Sequence, residues 1–412
     1  MAKILPFKGI RPAKEMASKI AALPYDVYNR EEAKAVVSKN PDSFLAIDRA
    51  ETSFPDDVDT YDDRVYQKAH DMLWERINRG DFVTEDKAVY YIYELIMDGR
   101  SQIGIVACAS IDDYINNIIK KHENTRADKE VDRIRHVETC EAQTGPIFLA
   151  YRSNSAINDI VDKTRKTAPL YDFVAEDGIA HKAWIIDSDD DIAVIGKAFE
   201  SMDSIYIADG HHRCASACKV GMKKREENPG FTGNEEFNYF LSVLFPDDQL
   251  MIMDYNRVLK DLNGMSDDEF VDKINSVFNV IKSDDAPIKP SKKGEVSMFF
   301  NKKWTLLEVK KEFTSEDPIK GLDVSILQNE ILNPYLGIED PKTDKRIDFV
   351  GGIRGLKELE RRCSTDCVLA FAMYPTSIGE LFNVADAHLL MPPKSTWFEP
   401  KLRSGLFIHS IK

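Results

Sequence analysis

The chain is poor in cysteine and carries none of the common nucleotide-binding or hydrolase signatures. Six cysteines in 412 residues are too few for a disulfide framework. Cys214/Cys218 and Cys363/Cys367 are each four apart, which on a helix puts both thiols on one face. A zinc site needs four good ligands and usually a tighter knuckle, so buried small thiols are the simpler assignment. No stretch approaches the roughly 18 uninterrupted apolar residues of a membrane span. The opening MAKILPFKGIRPAKE has no apolar run of signal-peptide length, so a reducing, cytoplasmic setting is expected. There is no GxxxxGK(S/T) loop, no Rossmann glycine triplet after a strand and no GxSxG elbow. Basic residues are outnumbered: the net charge is -15. Such a surface repels nucleic-acid phosphates, and an anionic substrate needs a positive pocket within an acidic shell. The 18 prolines and 20 glycines are scattered, which indicates no long disordered region.

What is present is an ordinary globular composition, 43% hydrophobic and 30% charged. Residues 88–109 form two β-rich runs joined at Asp98-Gly99, a hairpin signal. A second hairpin is expected around Asp177-Gly178, and a third over 295–309, turning at Asn301-Lys302-Lys303. Helices are expected over 111–121, 127–140, 191–202, 322–336 up to Pro334, and 355–363. Strands are expected at 145–151 and 367–373. Residues 238–245 and 250–258 suggest an antiparallel pair across Pro246-Asp247-Asp248. Residues 221–236 suggest a polar, mobile loop. Hairpins mixed with helices argue for an α+β fold with mixed, largely antiparallel sheets rather than a doubly wound one. The polar, twice proline-interrupted stretch 283–294 is the expected linker. It would separate a main α+β domain, 1–282, from a smaller C-terminal α/β portion, 295–412, packing back on it.

Residues 204–218, SIYIADGHHRCASAC, carry most of the chemistry. A short buried strand ends at Asp209-Gly210, and a helix opens with His211, His212 and Arg213. The first turn of a helix offers unpaired N–H groups and a positive dipole end. Two imidazoles and a guanidinium there add donors suited to phosphate or carboxylate. Alternatively, Asp209 only caps the helix and the histidines are surface polar residues.

Other candidates have similar rivals. Asp26, after Pro24, is a catalytic base, a magnesium ligand or a turn residue. A strand through 40–51 could deliver Asp48, Arg49 and Glu51 to a cleft, or leave an exposed ion pair. His122 and Glu123 could bind a metal or orient a nucleophile, but the second histidine of a zinc-protease helix is missing. Glu130, Asp132 and Arg133 read most simply as a solvated helix face. Lys394 and Lys401, in MPPKSTWFEPK, form a phosphate clamp or belong to a strap on the core.

In order, PFKGIRP, PYDV, NPDSFLAID, HENT, KEVDR, QTGPIFLAY, ADGHHR and MPPKSTWFEPK resemble the motifs of the domain of unknown function 1015 family. The Asp-Gly-His-His-Arg unit is also similar to the phosphate-binding motif of the ParB/sulfiredoxin-like superfamily, including its free-serine kinases. That resemblance implies a ParB/sulfiredoxin-like core and a nucleotide phosphate held by Gly210, His211, His212 and Arg213. It also implies Asp209 near Mg²⁺, with an upstream carboxylate as base, for which Asp26, Asp48 and Glu51 compete.

The expected activity is therefore Mg²⁺-dependent phosphoryl transfer on a small phosphorylated metabolite or nucleotide, with serine or phosphoserine as substrate and ATP or ADP as donor. Asp26 or Glu51 would take the hydroxyl proton. Asp209, His211, His212 and Arg213, with Lys394 or Lys401, would gather charge. His122 and Glu123 would contribute to the phosphate site. Kinase and phosphatase directions stay open, as do a metal-dependent hydrolase built on His122, His211 and His212, and a non-catalytic nucleotide-binding regulator. The oligomeric state is not encoded in any of these features.

Overall fold

The Asp98-Gly99 turn joins strands Tyr90–Met97 and Arg100–Ser110, whose antiparallel register runs from Met97 opposite Arg100 to Tyr91 opposite Val106. This hairpin is the middle of a nine-stranded sheet. On one side follow Ala180–Ile186 and Tyr171–Val174, the expected second hairpin. On the other side lie Tyr239–Pro246, Ile147–Tyr151, Ile205–Asp209 and Ile119–Lys120, in that order. Most neighbours are antiparallel. The pairs Tyr239–Pro246 with Ile147–Tyr151 and Ile205–Asp209 with Ile119–Lys120 are parallel. The fold is thus mixed α+β. The computed structural model describes residues 1–125 and 127–412; Arg126 and the side chains of Asp128 and Lys129, the last in the KEVDR element, lie outside the described residues.

The chain divides into two units, Met1–Leu250 with Pro400–Lys412, and Met251–Glu399. The division does not fall at 283–294, which connects strands Phe278–Asp284 and Glu295–Phe300 inside the second unit. Nor do 238–245 and 250–258 pair. Tyr239–Pro246 stays in the first unit, whereas Tyr255–Leu259 joins strands Ile347–Gly351 and Leu369–Met373 in the second. The turn after Pro246 between them is the crossing point. Every pairing in the six-stranded sheet of the second unit is antiparallel, so that unit is α+β, not α/β. Its core gathers Val258, Phe299, Trp304, Leu359 and Ala370.

In the first unit, helix His211–Glu227 lays Cys214, Ala217 and Cys218 into the apolar cluster of the sheet. Small side chains let the helix approach closely. The helix runs past the expected loop start at 221 because MKKREE are strong helix formers and Pro229 is the first breaker. Helix Ala127–Cys140 matches its expected span and packs beside it. The Ile111 helix is shorter than expected, ending at Ile115, where Asn117 adopts φ 60° and turns the chain into strand Ile119–Lys120. Residues 40–51 are not a strand. Leu45–Asp48 is a short helix followed by a 3₁₀ turn, Ala50–Ser53, and Phe44, Leu45 and Ile47 bury into a second apolar cluster.

The returning segment Pro400–Lys412 is part of the first unit's core: Leu402, Leu406, Phe407 and Ile408 are buried. Ser404 exchanges backbone hydrogen bonds with Ala22, and Ile408 with Ile10. Gly405 turns it at φ 80°, and a Cβ there would sit 2.4 Å from the Phe44 ring. Gly405→Ala therefore combines a strained backbone with a ring clash. It should lower unfolding stability by about 2–4 kcal/mol, measured as a drop in the urea midpoint at unchanged slope.

Candidate functional site

Two adjoining cavities of the first unit share a wall of Tyr25, Asp48, Arg133 and His136. The inner one adds Thr144, Gly145, Arg213 and Ser404. The outer and roomier one adds Asp26, Arg49, Glu51, Tyr66 and Asp132. The cleft therefore joins segments far apart in the sequence: the turn after Pro24, the Leu45–Ser53 helical turns, helix Asp63–Arg79, helix Ala127–Cys140, the approach to strand Ile147–Tyr151, the first turn of helix His211–Glu227, and the returning segment at Ser404.

Arg133 is the cation at the centre. Its guanidinium donates to Asp132 Oδ2 through Nε at 2.8 Å, with Nη2 2.7 Å away, and lies 3.8 Å from the Tyr25 ring centroid. The Tyr66 hydroxyl donates to the other Asp132 oxygen at 2.8 Å. Burial works against the Arg133 charge, but Asp132, Tyr25 and Asp48 outweigh it and hold its pKa above the ordinary value. Burial also pushes the Tyr25 hydroxyl up to about 12, against the pull of Arg133. Asp132 and Arg133 are only 8% exposed, so the solvated helix face expected there is instead a buried ion pair. Helical spacing alone cannot distinguish the two, because the covering elements come from far along the chain.

Asp48 sits beside this pair. Its Oδ1 accepts from Thr144 Oγ1 at 3.0 Å and lies 3.9 Å from His136 Nε2. Burial and the Arg133 charge lower His136 to about 4, leaving a neutral imidazole at neutral pH. Glu51 lines the cleft but is engaged by Arg49 at 2.5 Å. Arg49 also donates to the Tyr25 and Tyr28 carbonyls at 3.0 and 2.5 Å. This pair is buried, not an exposed surface bridge. Asp26 is exposed and lines the outer cavity.

The Asp209–Arg213 run does not act as one anion seat. Strand Ile205–Asp209 carries a register shift between Ile207 and Asp209, the kind of bulge that re-aims a side chain. Gly210 then adopts φ 92° as the helix N-cap, and its N–H donates to Asp209 Oδ1 at 2.8 Å. Successive helical residues point about 100° apart, and the three donors diverge accordingly. Arg213 lines the inner cavity and donates to the Pro146 carbonyl at 2.5 Å. His211 turns inward: its Nε2 accepts from the His122 N–H at 3.5 Å and the two rings meet edge to face at 4.5 Å. Burial pushes His211 well below its ordinary value and His122 to about 4, so neither imidazole carries charge at neutral pH. His212 lies toward Glu130. Burial there works to raise the carboxyl, but Lys219, Thr125 and, more weakly, His212 hold it below the usual range. Glu123 is half-buried in the bend after Ile119–Lys120 and, like His122, does not line the cleft.

Lys401 pairs with Asp209 Oδ2 at 2.9 Å. Burial works to raise the Asp209 carboxyl, but Lys401 and Arg213 carry it well below the usual carboxylate range. An ammonium thus stands where Mg²⁺ was expected, and the residues present do not fit a resident metal at Asp209. Among the described residues no group of three or more His, Cys, Asp and Glu side chains is placed to hold a metal ion, which also removes the His122/His211/His212 metal centre. Lys394 belongs to the second unit, exposed, with its ammonium 5.5 Å from the Tyr255 ring centroid. The segment around it is the strap: Trp397–Phe398 pairs with Ile252–Met253. Sequence reasoning missed Arg133, His136 and Thr144 as cleft residues, although KEVDR and QTGPIFLAY both drew attention to their neighbourhood.

The profile of the family described as "Protein of unknown function (DUF1015)" matches residues 4–325. The chain belongs to that family. No curated protein matches the sequence. Among solved structures, a free serine kinase variant in complex with ADP is 16% identical, covers 74% of this chain and 92% of its own, and has a TM-score of 0.35. SbnI with C-terminal truncation from Staphylococcus aureus is 10% identical over 73% of this chain and 85% of its own, at 0.38. A conserved hypothetical protein from Pyrococcus furiosus is 15% identical over 73% and 93%, at 0.34. At these TM-scores the likeness carries no argument about what this chain does. Among the described residues no helix is long and apolar enough to cross a membrane.

The buried histidines set a pH dependence. His122 and His136 are lowered to about 4, and His181 to about 3, each chiefly by burial. In the unfolded chain they protonate near 6.5. Below that pH the unfolded state binds more protons than the folded one, so stability is complete above 6.5 and falls as the pH drops toward 4. The slope is about 1.4 kcal/mol per pH unit for each such histidine. Urea midpoints at pH 7 and pH 5 should differ accordingly, and His136→Asn should narrow the gap. Equal midpoints for the unmodified protein would show that these imidazoles are not held neutral.

Proposed function

We propose that the cleft binds a phosphorylated small molecule or nucleotide and transfers a phosphoryl group to or from a hydroxyl-bearing metabolite. One observation carries this reading: Asp48, Arg133 and Arg213 line the same cavity. It therefore holds two guanidiniums that can offset phosphoryl charge and one carboxylate that can take a proton. Phosphoryl transfer asks a protein mainly for positioning and charge neutralisation, and Arg suits phosphate through its planar fork of donors.

In the kinase direction the acceptor hydroxyl oxygen attacks phosphorus. A new P–O bond forms, the bridging P–O bond of the donor breaks, and the hydroxyl proton passes to Asp48. Arg213 and Nη1 of Arg133, the one guanidinium nitrogen not held by Asp132, face the transferring oxygens. Among the competing carboxylates Asp48 is favoured. Glu51 is already bound by Arg49, and Asp26 lies exposed on the outer cavity. The neutral His136 beside Asp48 is a partner for the proton once transferred. With water as acceptor the same parts give a phosphatase. ATP and ADP are the proposed donors, and serine and phosphoserine the first substrates to try. A ParB/sulfiredoxin-like core is part of this proposal, supported by the Asp-Gly-His-His-Arg turn between strand and helix.

Phosphorus NMR tests it. The protein is incubated with magnesium salts of ATP or ADP and a pool of amino acids, with phosphoserine alone in parallel. A new phosphomonoester marks a kinase; phosphate released from phosphoserine marks a phosphatase. Asp48→Asn and Arg213→Ala should each lower turnover by about 10²–10⁴ with the circular dichroism spectrum of the folded protein retained, Asp48→Asn at a lower melting temperature because Arg133 loses one of its anions. Full activity in both variants, or no reaction with tight nucleotide binding, would replace this proposal by another site or by a non-catalytic binding protein.

A further inference from the structure

The Lys401–Asp209 pair sits behind the arginine of the cleft rather than in it. Asp209, Lys401 and the Asp209–Arg213 turn all belong to the first unit, and neither Asp209 nor Lys401 lines the two cavities. Each oxygen of the Asp209 carboxylate has a partner: Oδ1 takes the Gly210 N–H and Oδ2 the Lys401 ammonium. The Arg213 guanidinium folds back over the same turn. A Cβ on Gly210 would meet its Nε and Nη2 at 3.2 Å. Its charge also acts on the Asp209 carboxyl, yet its hydrogen bond goes to Pro146 and not to that carboxylate.

We propose that Lys401 is a positioning residue: by occupying Asp209 it prevents this carboxylate from capturing Arg213, and so keeps the guanidinium turned to the cleft. The physical reason is competition for one anion. A half-buried carboxylate left without its ammonium seeks the nearest remaining cation, because an unpaired buried charge is costly. Arg213 is that cation, its guanidinium against the Gly210 backbone. Lys401 thus acts through Asp209 and lines neither cavity, which separates it from the phosphate clamp that its sequence context suggests. The consequence for binding rests on the role given to Arg213 under the proposed function. The consequence for Arg213 itself does not.

The test has two readouts. In the first, the protein without ligand is treated with the arginine-selective reagent phenylglyoxal, and labelling of Arg213 is followed by peptide mass spectrometry. Lys401→Met should slow labelling several-fold, since Asp209 then holds the guanidinium. The double variant Asp209→Asn/Lys401→Met should restore the unmodified rate. In the second, ADP and pyrophosphate are titrated calorimetrically. Lys401→Met should weaken binding by about tenfold, the order of one hydrogen bond to a charged group, and the double variant should recover it. Unchanged labelling in Lys401→Met, or a double variant as slow as the single one, overturns the inference. Failure of the unmodified protein to bind either probe overturns the proposed function alone, because the labelling result stands without ligand. If Lys401→Met does not fold, the double variant, which leaves no unpaired charge, decides: unmodified labelling supports the inference and slowed labelling refutes it.

Discussion

A guanidinium under the surface must be matched, and the cleft is organised by how Arg133 is matched. Removing one partner from such a pair leaves a charge that neither water nor protein offsets. Here the compensation comes from several elements at once: Asp132 on the same helix, fixed by Tyr66 from helix Asp63–Arg79, the face of Tyr25 from the turn after Pro24, and Asp48 from the short Leu45 helix. Each partner is thereby held by the others. The two cavities are the space left over once these elements converge, and their shared wall is made of the same residues.

The electrostatics of the site follow from which groups lose their charge on burial. His122, His136 and His211 become neutral, whereas Arg133 stays charged because its partners outweigh the desolvation. An acidic chain thus presents a cleft whose permanent cations are arginines and in which the imidazole of His136 is a hydrogen-bonding group without charge. The positive pocket that composition called for is met in the inner cavity alone, where Arg133 and Arg213 face Asp48; the outer one is lined by more carboxylates than arginines, and the residues differ from those the Asp-Gly-His-His-Arg run suggested. A run of three adjacent donors looks convergent in one dimension. On a helix it is a fan, and only one blade reaches the cavity.

Local signals were read well where the physics is local. The Asp98-Gly99, Asp177-Gly178 and Asn301-Lys302 turns mark real hairpins, and the helix over Ala127–Cys140 lies where its pattern places it. Signals that depend on distant partners misled. Asp132 and Arg133 look solvated until Tyr25 and Tyr66 cover them. Residues 40–51 look extended until Phe44 and Ile47 bury on one side of a short helix. The passage between units hides in a Pro-Asp-Asp turn with the outward form of a hairpin, while the more conspicuous 283–294 stretch is an ordinary connection within a sheet. Of the candidate site, Asp26, Asp48, Glu51 and Arg213 were visible as residue types; that they meet in one place required the fold.

The excursion of the chain through Met251–Glu399 before it re-enters the first unit has a consequence for biosynthesis. Ser404, which closes the inner cavity, is translated only after the whole intervening unit. At about 5–20 residues per second, the N-terminal sheet waits on the order of ten seconds with an open seam. During that interval Phe44 and Ile10 lack the residues that finally cover them, and the nascent protein is most exposed to proteases and chaperones along this one line.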